Sequence, residues 1–470
     1  IKNGFHFSKT SDIPRYDRLI RDDGQGGLFY GNWFYGPQEW ILINNQITLN
    51  PKSTSIFDKL KLTTALQRFS ESRNSRKLYE FNLNTRDEKL NILSLNLDLI
   101  KKINQSSDLT YGLEFIDNKV NSFGISTDIN DFTTTEIASR YPNNSSLKSF
   151  GGYFNYKNKI IDDVFFQSGV RYSFTKLQAD LSHNNIYYDF PFQNTTLENG
   201  AFVGGVGLSW VRNTYNNWKF NINTAFRSPN IDDLAKVFDS EPGTVIVPNP
   251  DLKPERSLGV EFGGYIRSKN NIEFDFSSYL TYLYNSLVRD EFTLENGVSE
   301  IIYDGELSQI QALQNSSKSI IYGFEFGVKT LINKNLILKS QINLTAGYEL
   351  NELPLSMPVR HIPPDYGNLH LIFNKGKLSL DGYINYNSEI SYGNLATSER
   401  AKPHIYALDE NGNPYSPSWT TLNFRSKYSF SEKMNLTFSF ENILDKLYRP
   451  YSSGISAPGV NFIFSINYAY

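Results

Sequence analysis

Runs of about ten residues in which apolar and polar side chains alternate recur along nearly the whole chain, and a period of two marks a strand with one apolar and one polar face. The final run sets Phe462, Phe464, Ile466, Tyr468 and Tyr470 on one face and Asn461, Ser465, Asn467 and Ala469 on the other. A second sets Leu336, Leu338, Ile342 and Leu344 against Lys339, Gln341, Asn343 and Thr345. A third opposes Trp218, Phe220, Ile222, Thr224 and Phe226 to Lys219, Asn221, Asn223 and Arg227. A fourth opposes Ile272, Phe274, Phe276, Leu280 and Tyr282 to Glu273, Asp275, Ser277 and Thr281. About eighteen such runs can be counted. Half-buried sheets of soluble proteins alternate too, so the connectors must separate the two classes.

The connectors alternate between short and long. Short ones such as Asn213-Thr214-Tyr215, Ser268-Lys269-Asn270, Asn333-Lys334-Asn335, Asn374-Lys375-Gly376 and Ser431-Glu432-Lys433 are hairpin turns. Between them lie long polar stretches: 10–37, 124–146, 179–199, 228–254, 288–317, 349–364, 389–416 and 445–459. Short turns on one side and long loops on the other are the pattern of a transmembrane β-barrel, whose long loops lie outside the cell. No run approaches the roughly eighteen apolar residues of a membrane helix, and a closed barrel is the other structure that satisfies every backbone group in lipid. Aromatics at 15% beside a mean hydropathy of -0.42 suit aromatic girdles around a polar lumen. A net charge of -3 with no long basic run argues against a nucleic-acid partner, and the absence of Cys excludes thiol chemistry. The fold expected is therefore all-β, one transmembrane antiparallel β-barrel domain over 1–470. Eighteen strands against about 22 in plugged transporters lead us to expect that an N-terminal plug and the first strands are absent from this chain.

The strongest local signal is the stretch from Phe226-Arg227-Ser228-Pro229-Asn230 to Asn249-Pro250-Asp251-Leu252-Lys253-Pro254-Glu255-Arg256. Pro229 cannot donate to a ladder and ends the preceding strand. Pro250 and Pro254 hold Asn249 and Lys253 extended and lead into the next. Parity puts Arg227 on the lumen face, so Arg227 and Glu255 are expected to anchor the two ends of this loop at the rim. Arg171, Lys219, Glu261, Glu273, Asp275, Lys339, Asp381, Arg425 and Glu441 fall on the same face. They are expected to pair there or to dock a plug, since charges do not face lipid. Trp33, Phe34, Tyr35 and Trp40 read as loop aromatics, able to grip a flat ligand or a partner. No Ser-His-Asp or paired-carboxylate arrangement stands out, so no catalytic residue is assigned.

The 227–255 pair of motifs resembles the conserved boxes of TonB-dependent receptors, especially the haem and haemoglobin receptors. Glu441-Asn442-Ile443-Leu444-Asp445-Lys446-Leu447-Tyr448-Arg449 is similar to the family's last loop, and Pro458-Gly459-Val460-Asn461-Phe462 to its last strand. Ile362-Pro363-Pro364 followed by Gly367 matches a late barrel strand of that family. Asp12-Ile13-Pro14-Arg15-Tyr16-Asp17-Arg18-Leu19 and Trp33-Phe34-Tyr35-Gly36-Pro37-Gln38 resemble haem-receptor-like members from Bacteroidota. The resemblance implies an outer-membrane receptor of a Gram-negative bacterium, not an enzyme, without an intrinsic cofactor. It implies import of a scarce nutrient, haem or haem-protein iron first, powered through TonB, with a surface lipoprotein as a further partner. Ferric siderophore, cobalamin or peptide import, and a non-transporting scaffold or adhesin, stand as alternatives. The ligand-binding residues expected are Arg227, Asp232, Asp233, Asn249, Asp251 and Glu255 in the loop, with His183 and His404 in others. The chain departs from the haem pattern in one respect. Asn230 to Val247 holds no His, Tyr, Cys or Met, so this loop is expected to touch a haem protein or a ligand edge without ligating iron.

Overall fold

In the computed structural model 24 strands form one sheet, of which eighteen build a continuous wall and six short ones belong to loops. The structure describes every residue except 53, 54, 189, 192, 242, 296, 351–356, 401 and 470. The first wall strands are β1 (Lys2–Lys9), β2 (Tyr30–Leu49), β3 (Lys59–Lys77), β4 (Asn82–Lys102), β5 (Ser107–Asp128) and β6 (Ser145–Ile161). Next come β7 (Val164–Asp180), β8 (Asn194–Asn213), β9 (Asn216–Arg227), β10 (Glu255–Arg267), β11 (Ile272–Glu291) and β12 (Glu306–Asn333). The last are β13 (Leu336–Glu349), β14 (Tyr366–Lys375), β15 (Leu378–Asn387), β16 (Trp419–Ser429), β17 (Met434–Glu441) and β18 (Asn461–Tyr468). Each pairs antiparallel with the next in chain order. No ladder joins β1 to β18 among the described residues.

The register makes the two faces explicit, because residues paired across a ladder point the same way. One outward row crosses seven strands as Phe166, Leu208, Phe220, Phe262, Ser278, Phe324 and Leu344. These side chains are open to the surroundings, as an apolar band facing lipid must be: Phe262 and Leu344 are each 42% exposed. On β18, Phe462, Phe464, Ile466 and Tyr468 are exposed as well, whereas Tyr470 lies outside the described residues. The opposite face carries the expected charges, several of them in pairs. Arg171 lies 2.9 Å from Glu114, Glu273 lies 3.3 Å from Lys329, and Arg425 lies 3.9 Å from Glu441. Asp381 accepts at 3.0 Å from His370 Nδ1.

Two expectations need correction. Trp33, Phe34, Tyr35 and Trp40 are not loop residues; they belong to β2. Likewise β5 runs to Asp128, β11 to Glu291, and β12 begins at Glu306, inside stretches taken as loops from sequence. The ladder continues there above the level of the apolar band, where apolar side chains such as Trp33, Phe34 and Tyr35 fall on both faces or lie among polar ones, so the period-two signal weakens while the hydrogen bonds persist. The segregation of connector lengths also has an exception: β3 and β4 are joined at the long-loop end by residues 78–81.

Most of the buried apolar side chains among the described residues form two clusters where the long loops fold back over the polar face. One gathers Ala138, Tyr188, Phe190, Val237, Val245, Val247, Leu294 and Tyr303 from four different loops against Ile310 and Ala312 of β12. The other seats Ile231, Leu234, Ala235 and Leu252 on Val120, Leu177 and Ala179 of the wall.

Candidate ligand site at the mouth of the wall

The loop 228–254 is held at both ends, as expected. Arg227 and Glu255 face each other across the β9–β10 ladder, with guanidinium and carboxylate 2.8 Å apart. The same guanidinium reaches Asp233 at 2.6 Å, and Glu255 also accepts the Leu287 amide at 2.8 Å. Asn230 opens the short helix α1 (Ile231–Ala235) with a reciprocal cap: its side chain accepts from the Asp233 amide and its own amide donates to Asp233. Leu177 pairs in register with Leu147 and Leu197 on the polar face. The packing of α1 onto Leu177 therefore sends the loop inward across the mouth and not away from it.

The other loop candidates are engaged in holding this shape. Asp232 accepts from Tyr141 at 2.7 Å and pairs with Lys236 at 2.6 Å and Arg140 at 3.4 Å. Burial raises its pKa, but these partners outweigh that and hold it below the ordinary value. Asn249 is buried; it donates to the Leu313 carbonyl at 2.7 Å and accepts from the Asp251 amide at 3.0 Å. Asp251 is exposed. His183 lies 3.2 Å from Glu136 on neighbouring loops. His404 is pushed toward the neutral form by burial and by the charge of Arg18.

Beside this loop lies a cavity that sequence reasoning did not find; its lining includes Phe238, Gly243 and Thr244 of the loop but none of the eight candidates. It measures about 310 Å³ and is lined by the upper parts of β2, β3 and β4, by Glu306 and Ser308 of β12 and by residues of five connectors. Trp33 and Tyr35 of β2 lie in register with Ser75 and Arg73 of β3, and Arg73 with Arg86 of β4, so all share the polar face. The loop 10–29 folds over them with Arg15, Arg18 and Arg21, while Arg140, Phe238, Thr244, Tyr303 and Asp304 close the far side. Seven cationic and three acidic side chains line the cavity, a surplus of four positive charges. The cations lie against aromatic faces. Arg15 is 5.4 Å from the Trp33 ring centre and 5.2 Å from that of Tyr35. Arg21 is 4.3 Å from Phe29, Arg73 is 5.4 Å from Tyr35, and Arg86 is 5.7 Å from Tyr303.

Ion pairs fix part of this array. Arg15 grips Asp17 through two bonds of 2.8 and 2.6 Å, and Arg86 lies 2.8 Å from Asp304. The hydrogen bond to Asp17 raises the Arg15 pKa. Burial opposes ionisation of Asp17, but Arg15 outweighs it and the carboxyl stays below its usual range. Arg73 and Arg86 stand directly opposite each other, and one row deeper Glu71 stands opposite Glu88. Like charges opposed in a ladder repel; Glu71, 3.1 Å from Arg73, offsets part of that. Such a cavity can hold multiply anionic groups on its guanidinium donors and a flat π-system against its aromatic walls. Among the described residues no group of three or more His, Cys, Asp or Glu is arranged to hold a metal ion.

The chain belongs to the TonB-dependent receptor-like β-barrel family, whose sequence pattern matches residues 2–443. Proteins of this family sit in the Gram-negative outer membrane, work with TonB as transporters and not as enzymes, and carry ligands such as haem as cargo and not as intrinsic cofactors. No curated protein matches the sequence. Among solved structures the chain is similar to the copper transporter OprC, with a TM-score of 0.74 and 12% identity, covering 100% of this chain and 75% of that one. It is also similar to the ferric yersiniabactin uptake receptor FyuA from Yersinia pestis, with a TM-score of 0.62, 13% identity, and 99% and 65% coverage. The Serratia marcescens hemophore receptor HasR, solved as a double mutant with its hemophore HasA and heme, matches with a TM-score of 0.64, 12% identity, and 93% and 66% coverage. At these identities the likeness concerns the fold, and the chain spans about two thirds to three quarters of the length of these three proteins.

Proposed function

We propose that this chain is the barrel portion of an importer whose cargo is an anionic iron chelate with exposed π-faces. The first candidate is haem, free or delivered by a haem protein; a ferric catecholate siderophore is the alternative of the same chemistry. The observation that carries the reading is the surplus of cations on aromatic faces in the cavity beneath the loops. Haem supplies a π-face and two carboxylates; a ferric tris-catecholate supplies π-faces and net negative charge. The loop 228–254 takes part through Phe238, Gly243 and Thr244, which line the cavity. Arg227, Asp232, Asp233, Asn249 and Glu255 act by holding that segment in place, and Asp251 is exposed for a delivering protein. His183 and His404 lie outside the cavity lining, so iron ligation by either is not part of this reading. TonB supplies the energy through a plug, and a surface lipoprotein is the further partner of this reading.

The test is a fluorescence titration of the full-length receptor, purified from its native outer membrane, with hemin and separately with a ferric tris-catechol complex. Arg18→Gln/Arg21→Gln is expected to weaken binding of the cargo by about tenfold to a hundredfold, the scale of one or two charge-assisted hydrogen bonds. Unchanged affinity for both probes in that variant overturns the reading. Growth then separates the sources: deletion of Asp232 to Val247 abolishes use of haem iron if haem is the cargo, and of catecholate iron if that is. Loss of neither, with normal surface level, favours the scaffold alternative.

A further inference from the structure

Beneath the cation-rich cavity lies one acid that its surroundings do not satisfy. Glu88 of β4 is 1% exposed, and neither of its carboxylate oxygens has a hydrogen-bond partner among the described residues. The apolar outward run of β4, from Leu99 to Leu93, ends five residues before it, so Glu88 sits on the polar face above the lipid-facing band. Its ladder neighbours are Glu71 on β3 and Ser122 on β5. Arg73 and Arg86, which line the cavity, stand one row nearer the mouth. Arg73 also has a buried Nη1 without a hydrogen-bond partner.

The two facing acids are unequal. Glu71 accepts from Arg73 through one oxygen and from Gln38 through the other, each at 3.1 Å. Glu88 has no such donor, and the Oγ of Ser122 takes the Tyr141 amide at 3.3 Å. Two carboxylates opposed across a ladder repel, and the one without donors is the one that gives up its charge. The other groups facing it act in both directions. Arg73 and Arg86 favour the ionised form, while Glu71 and Asp87 oppose it. Tyr141 comes from the loop 129–144 and is kept neutral by burial and by Asp232. Burial outweighs the two guanidiniums and pushes the Glu88 pKa up to about 8.

We propose that Glu88 sets the charge of the cavity: it takes up a proton as an anionic cargo binds, so that filling the site with an anion is coupled to neutralising this carboxylate. The inference rests on the anionic-cargo reading above. The anionic groups of the cargo engage Arg73 and Arg86, the same guanidiniums that favour ionised Glu88. They also bring a like charge close to it inside a poorly solvated mouth, where such a charge acts strongly. Both effects favour the protonated carboxyl in the occupied state. Binding therefore consumes protons. Affinity is full below the pKa of the free carboxyl and falls as pH rises through it.

The full-length receptor in detergent is titrated between about pH 6.5 and 9.5, a window above the ordinary carboxylate range. The probes are zinc protoporphyrin, which has no iron-bound water to titrate, and the ferric complex of a hexadentate tris-catecholate. Wild type is expected to lose about tenfold in affinity across the upper half of that window, the scale of one like charge acting through the protein. Glu88→Gln should bind at the tight level throughout. Calorimetry in buffers of unlike ionisation enthalpy should show proton uptake on binding by wild type near the upper end and none by Glu88→Gln. This wild-type measurement stands even if the variant does not fold. Affinity independent of pH in wild type, the absence of proton uptake, or an unchanged slope in Glu88→Gln overturns the proposal while the cargo reading stands. If neither probe binds at any pH, the cargo reading fails and the proton linkage falls with it.

Discussion

Two groups of long loops close the same end of the wall by opposite physics. The loops 129–144, 181–193, 228–254 and 292–305 share an apolar core in which Val245 and Ile310 are wholly buried. The loops 388–418 and 442–460, with the described part of 350–365, gather instead around one buried carboxylate. Glu399, in the helix Thr397–Arg400, has no exposed surface. It pairs with Arg360 at 2.7 Å, His361 at 3.4 Å and Lys402 at 3.4 Å, and accepts from Tyr406 and from Ser452 at 3.0 Å. An apolar core degrades gradually as contacts are removed, because each contact is small and non-directional. A buried charge with several partners fails as a unit, because removing one member leaves the others desolvated and unpaired. The first group contributes to the wall of the cation-rich cavity, so the tolerant core lies beside the proposed ligand site.

Removal of Glu399 should have the largest effect. Glu399→Ala is expected to cost the second group about 3–5 kcal/mol of local stability, read as accelerated hydrogen exchange in peptides from 388–418 and 442–460. Unchanged exchange there would show that the carboxylate is not the organiser. Next, Leu234→Ala should cost the first group about 2–5 kcal/mol, the usual range for a buried leucine. Exchange should rise in 228–254 while the second group stays protected; a rise in both would mean that the two groups unfold together.

Acid should separate the groups without mutation. Burial works against ionisation of Glu399, but the hydrogen bonds from His361 and Tyr406 and the charges of Lys402 and Arg360 outweigh it and lower its pKa. A carboxyl whose folded pKa lies below the unfolded value of about 4.3 contributes stability that is complete above that value and is lost as pH falls through the folded one. Limited proteolysis with an acid-active protease should therefore nick 388–418 increasingly below about pH 4. The loop 228–254 should resist longer: Asp232 moves the same way, but its side chain is 43% exposed and contributes less. Equal nicking of both loops would remove the distinction. The smallest effect is expected from Arg227→Ala, about 1 kcal/mol, since its side chain is 47% exposed and solvent screens the pair with Glu255. A shift larger than that of Leu234→Ala would make the loop anchor electrostatic after all.

The wall was legible from sequence because every strand must present one face to lipid, and that requirement writes a period of two into the residues themselves. The eighteen runs counted correspond to eighteen wall strands, and the outward side of β18, β13, β9 and β11 is the one the alternation assigned. Where strands rise above the apolar band the signal faded, and Trp33 to Trp40 were read as loop. The anchoring of 228–254 was also legible, since prolines and a charged pair at its two ends act locally. The cation-rich cavity was not: Arg15, Arg21, Arg73, Arg86 and Arg140 come from separate segments, and each alone reads as a solvated surface charge. A residual hint lay in Arg15, Arg18 and Arg21 recurring every third residue just ahead of Phe29, Tyr30 and Trp33.

The sequence by itself determined the class of fold, the direction of each strand face and the ends of the loops, because these depend on neighbours within a few residues. Tertiary structure alone decided which loops share a core and which charges are paired. Those outcomes depend on register across the ladder, which places Arg73 opposite Arg86 and Asn91 between Arg68 and Lys119. They depend also on the inward fold of α1 onto Leu177, a contact between residues more than fifty positions apart that no local pattern encodes.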